Sequence, residues 1–159
     1  MTQEELLVST ALSSWKLIIS RIDQAIAPLG EQEFQRQVAP GRNRLFYLIG
    51  HLTATNDRLF PMLGLGDRLH PEFDDAFIKN PDRSQPDSVS AADLKKAWAD
   101  VNTKLYAAFE ALSPKEWLLK HSAVSDEDFA KEPLRNRLAV LMSRTNHASF
   151  HAGQMILAK

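Results

Sequence analysis

The chain has 159 residues, a formal net charge of −1, 44% hydrophobic and 25% charged residues, and no cysteine. Those values suit one soluble globular domain spanning residues 1–159. Without cysteine there are no disulfides, thiolate metal ligands or cysteine nucleophiles, and with no dense Lys/Arg cluster a nucleic-acid partner is not expected.

The N-terminus, Met1-Thr2-Gln3-Glu4-Glu5, is acidic and lacks the basic start of a signal peptide. No apolar run approaches the ~20 residues of a membrane span. The expectation is a cytoplasmic protein with no membrane partner.

Residues 2–27 read as a long amphipathic helix, because Leu7, Ala11, Trp15, Ile18, Ile22 and Ile26 recur at steps of three and four. Pro28 and Gly30 end it, and Pro40-Gly41 marks a turn. A second helix is expected over residues 43–60, with Leu45, Leu48, Leu52, Leu59 and Phe60 inward and His51 in its middle. On a helical wheel Arg44, Tyr47, Leu48, Thr55 and Arg58 share the His51 side.

Periodicity is lost over residues 62–89, where Pro71, Pro81 and Pro86 interrupt the chain and a short helix is expected near residues 71–78. A connection of this length implies a crossover or lid rather than simple up-and-down topology. Its Asp74 and Asp75 read as surface charge, and His70, like His121 further on, as a surface residue. Ser90-Ala91-Ala92-Asp93 resembles a capping box and opens a third helix to about Leu112. Ser113-Pro114 starts a short helix carrying Trp117, and Ser125 one further turn. The last helix is expected to open at Pro133 and run nearly to Lys159, with Leu134, Leu138, Leu141, Met142, Ala148, Met155 and Ile156 packing inward. Trp15, Trp98 and Trp117 belong to the core. The fold class is all-α: a four-helix bundle with a long crossover connection and short extra helices.

His147 and His151 lie four residues apart in the last helix, so their imidazoles project from one face, roughly 40° apart around the axis. Two ligands that share one metal ion need this geometry. Val140, Ser143 and Gln154 fall on the same stripe, which is not a freely solvated charged face. Two buried imidazoles without partners would cost ~1–3 kcal/mol each in unsatisfied nitrogens, and a metal satisfies both. Ala148 directly after His147 excludes the zinc-protease arrangement, which places a glutamate there. His51, in a helix that reads as equally buried, completes a three-histidine site that leaves open positions for water or substrate. Tyr47, Thr55 and Gln154 are the candidates to orient the ligands. Three imidazoles suit zinc, nickel, copper and iron alike.

Leu48-Ile49-Gly50-His51-Leu52, then Asp57-Arg58-Leu59 and Leu63-Gly64-Leu65-Gly66, resemble the second helix and following loop of DinB-like (damage-inducible) proteins. His147 and His151 followed by Gly153-Gln154 resemble their last-helix signature. The resemblance implies a helical bundle and a divalent-metal site, commonly nickel or zinc, at His51, His147 and His151, together with frequent homodimers. It also implies, for some members, transferase or isomerase chemistry on a low-molecular-weight thiol such as bacillithiol or mycothiol. The family name records a DNA-damage response and does not imply DNA binding. Many relatives extend the last helix beyond the position of Lys159, so a looser bundle mouth or altered dimer surface is expected here.

Three functions are open at this point. The first is a metal-dependent thiol transferase or hydrolase acting on a small molecule. The second is a non-catalytic metal-binding stress or interaction protein, and the third a metal-free helical interaction module.

Overall fold

The structure, a computed structural model, describes residues 1–158. Among them the secondary structure is helical: α1 (Gln3–Ile26), α2 (Glu31–Phe34), α3 (Leu45–Asp57), α4 (Leu59–Met62), a π-helical turn (Asp75–Lys79), α5 (Ala91–Ala111), α6 (Pro114–Trp117), α7 (Asp126–Lys131) and α8 (Arg137–Ile156). No strand forms among the described residues, only the isolated bridges Gln37–Arg44 and Lys120–Asn136. The all-α class is as expected.

Side-chain caps start most of these helices. Thr2 Oγ1 accepts from Glu5 N at 3.1 Å while Glu5 Oε2 accepts from Thr2 N at 2.6 Å. Ser90 and Asp93 make the same reciprocal pair, and so do Ser113 and Glu116, with Pro114 in the first turn. Helix α1 packs on α8 and α5, and α3 packs on α5 and α8. Trp15, Phe109 and Trp117 meet edge to face in the core, at centroid distances of 5.8 and 5.3 Å.

Helix α3 is buried on nearly every side, and only Tyr47 and His51 keep partial exposure. It ends at Asp57 rather than continuing to residue 60, and the chain steps into the separate turn α4. Pro61 has no N–H with which to bond the Asp57 carbonyl one turn back.

The last helix also starts later than the sequence suggests. Asn136, not the turn after Pro133, caps α8 by accepting from Ala139 N at 2.9 Å. The preceding segment is held against residues 119–120 by the Lys120–Asn136 bridge and by Arg137 N donating to Leu119 O. Leu134 is therefore outside the helix and exposed, and Met142 and Ile156 are also exposed. Helix α8 buries Leu141, Thr145, Ala148 and Met155 instead. On α1 the buried stripe runs through Val8, Trp15 and Ile22, which leaves Leu7 exposed. Lys159 lies outside the described residues.

The crossover is held to α3 by ion pairs at both ends. Asp57, wholly buried, accepts from Arg68 Nε at 2.9 Å, Leu69 N at 2.7 Å and His70 N at 3.1 Å. Asp74, expected as surface charge, is largely buried and bridges Arg68 and Arg58 at 2.8 and 2.7 Å. Those guanidiniums, Arg68 foremost, hold its carboxyl well below the usual range. At the far end Arg44 pairs with Asp82 and Asp87 at 2.7 and 2.8 Å. The expected short helix becomes a π-helical turn, and it packs on α3. His70 and His121 are half-buried rather than surface residues; His70 Nδ1 lies 3.0 Å from Glu72 Oε1.

Candidate metal centre

Two helices bring three imidazoles together. His51 comes from the middle of α3, and His147 and His151 from one face of α8. His147 Nε2 lies 3.2 Å from His51 Nε2 and 3.1 Å from His151 Nε2. One ligand nitrogen from each residue lies within 4.8 Å of the others, and all three side chains are half-buried. Nitrogen ligands 2.0–2.1 Å from one ion stand about 2.9 Å apart at right angles and about 3.3 Å apart in a tetrahedron. The two distances from His147 Nε2 fall between these limits.

Hydrogen bonds on the far side of the rings set the tautomers. The Phe77 carbonyl, in the π-helical turn, accepts from His51 Nδ1 at 2.8 Å. Gln154 Oε1 accepts from His151 Nδ1 at 2.7 Å. With both protons on Nδ1, the Nε2 lone pairs of His51 and His151 face His147 Nε2. His147 has at most one proton there to offer two lone pairs, and its Nδ1 is buried without a partner. A divalent cation accepts all three lone pairs at once, so the residues present fit a metal.

The electrostatics favour the neutral, ligating form. Burial, then the neighbouring His151, Arg144 and His51, lower His147 to about 4. Burial also lowers His51 against the raising effect of the Phe77 carbonyl, with Arg144 and Arg58 adding to it. For His151, burial outweighs the Gln154 hydrogen bond.

The residues expected to orient the ligands part company. Gln154 bonds His151 directly. Tyr47 stacks on His51 at 6.2 Å and 10° between planes, and its hydroxyl donates to the Asn80 carbonyl at 2.9 Å. Thr55 gives its hydroxyl to Leu52 O in its own helix at 3.1 Å and makes no hydrogen bond to a histidine. Sequence reasoning missed Phe77, because a main-chain carbonyl leaves no residue-type signal. It also missed Arg144, whose place three residues before His147 puts it on the same stripe. Beside Gln154 an open cleft of about 400 Å³ is lined by Val38, Ala39, Arg42, Asn43 and Leu157.

Fold and site together define a class: helical proteins in which packed helices gather three histidines in an arrangement compatible with metal binding. The family model of the DinB superfamily matches residues 15–155, which include all three histidines, and the chain belongs to that superfamily. Among solved structures it is similar to a conserved protein from Enterococcus faecalis, with 18% identity and a TM-score of 0.63. That match covers 99% of this chain and 98% of the other, a likeness of fold. No curated protein matches it. Among the described residues no helix is long and apolar enough to cross a membrane.

Proposed function

We propose that the chain binds one divalent ion, nickel or zinc, through His51, His147 and His151, and acts with it on a small molecule as a thiol transferase or hydrolase. The observation that carries this reading is the set of three Nε2 atoms at 3.1 and 3.2 Å, two of them with tautomers fixed from behind. A bound ion of this kind supplies Lewis acidity, which lowers the pKa of a coordinated water or thiol toward neutrality.

The protein's own groups set the conditions for that chemistry. Phe77 O and Gln154 Oε1 hold two imidazoles in the ligating tautomer, and burial keeps all three neutral at pH 7. Ala148 stands where zinc proteases carry a glutamate after the first histidine, so α8 supplies no built-in base at that position. A homodimer belongs to the same proposal on the strength of the family resemblance, and a cytoplasmic address on the acidic N-terminus; light scattering across a wide concentration range reads the assembly.

The deciding experiment is metal analysis by plasma mass spectrometry of tag-free wild type, His51→Ala and His147→Ala, followed by a screen of thiols and electrophiles. One ion per chain in wild type, lost in both variants, with turnover that follows metal content, supports the proposal. Stoichiometric metal without turnover in the screen favours the non-catalytic metal-binding role. A metal-free wild type after incubation with zinc or nickel removes the metal reading altogether.

A further inference from the structure

Charges around the three histidines do not balance. On the α3 and crossover side, Arg58 and Arg68 share the carboxylates of Asp57 and Asp74. Arg144, on α8, makes no ion pair or hydrogen bond to another described residue, and its Nε is buried without a partner. It precedes His147 by three residues and His151 by seven, so the three side chains fall within roughly 60° of one another around the helix. The guanidinium is near enough to His51 and His147 to disfavour their protonated forms. Burial and the nearby Arg58 disfavour its own charge, but a guanidinium remains a cation at neutral pH in proteins.

A half-buried, unpaired guanidinium is costly unless something anionic meets it. Five N–H donors in a planar fork match an oxyanion in bidentate fashion. A divalent ion on three neutral imidazoles would add further positive charge on the same face of α8. We propose that Arg144 is the anion-binding half of this site: the small molecule handled at the histidines carries a carboxylate or phosphate group, which the Arg144 guanidinium holds. Arg144 is then a specificity-determining residue. The inference rests on the proposed function and narrows its substrate class to anionic molecules.

The test is calorimetric titration of inorganic phosphate and, separately, of acetate into zinc-loaded wild type, Arg144→Gln and Arg144→Lys, with zinc content measured on each sample. Wild type is expected to bind one anion per chain, with the dissociation constant raised about tenfold or more in Arg144→Gln and partly restored in Arg144→Lys. Zinc should remain at one per chain in all three. Preference for phosphate over acetate points to a phosphate ester as the natural ligand, and the reverse to a carboxylate. With zinc bound, anion binding that is absent in wild type or unchanged in both variants overturns the role of Arg144 and leaves the metal reading standing. Absence of zinc from wild type overturns the metal reading, and this inference with it.

Discussion

The ring of Phe77 lies against the backbone of Gly50, in the space that a side chain on residue 50 would occupy, while the Phe77 carbonyl bonds His51 Nδ1 at 2.8 Å. Glycine at position 50 thus permits the close approach of the crossover to α3 that positions the next residue, a candidate ligand. In Gly50→Ala the new methyl group must displace the Phe77 ring, and the carbonyl moves with its residue. A destabilisation of about 1–3 kcal/mol is expected from overpacking. Metal affinity should fall about 10–100-fold through the lost His51 hydrogen bond. Thermal melting of metal-free protein and chelator competition on loaded protein read the two effects separately. Unchanged affinity would show that Phe77 does not position His51.

Gln154 plays the matching part for His151. Gln154→Leu removes the acceptor at 2.7 Å from Nδ1 while keeping a side chain of similar size. Metal affinity should drop by about tenfold or more, with little change in the melting temperature of the metal-free protein. An equal loss of stability and affinity would mean that Gln154 serves the helix end rather than the histidine.

Metal-free protein should lose stability as pH falls. Burial, followed by its charged neighbours, lowers His147 to about 4, whereas an unfolded histidine titrates near 6.5. Below about pH 6.5 the unfolded chain takes up a proton that the native His147 refuses, so unfolding becomes easier with acid. Stability should be flat above pH 7 and fall between pH 6.5 and pH 4, by about 1–2 kcal/mol at pH 5 for this imidazole alone. His51 and His151, also lowered by burial, act in the same direction. Urea midpoints at pH 7.5 and 5, in wild type and His147→Ala, check this; the variant should show the shallower loss.

The crossover depends on a buried ion pair. Asp57 has no exposed side-chain surface, and its cationic partner is Arg68 at 2.9 Å. Arg68→Ala leaves that buried carboxylate its two backbone donors but no cation, and removes one of the two cations on Asp74. The expected loss is about 3–5 kcal/mol, with proteolytic cleavage appearing first within residues 62–89. A loss within 1 kcal/mol, by urea titration, would sink the idea that this pair anchors the segment.

Much of this architecture is written locally. Ser90, Ser113 and Ser125 announce helix starts because a side-chain oxygen three residues ahead of an unpaired N–H closes the cap without help from the rest of the chain. The spacing of His147 and His151 sets their shared face for the same reason, since the helix alone fixes it. Packing choices are less legible. Leu7, Met142 and Ile156 have helical spacing yet remain exposed, and Leu134 lies outside the helix altogether, because the burial of an apolar stripe depends on which neighbour arrives.

What the sequence determined by itself was the helical class, most of the caps and two of the three histidines on one face. Only the tertiary structure decided that His51 meets a residue 96 positions away, that a main-chain carbonyl 26 positions away sets its tautomer, and that Arg144 finds no carboxylate among the described residues. The first and third arise where α8 comes against buried α3, and the second where a segment without periodicity lies against that helix. There the arrangement is set by close packing and by pairing of buried charges across the fold, and neither leaves a repeat in the chain.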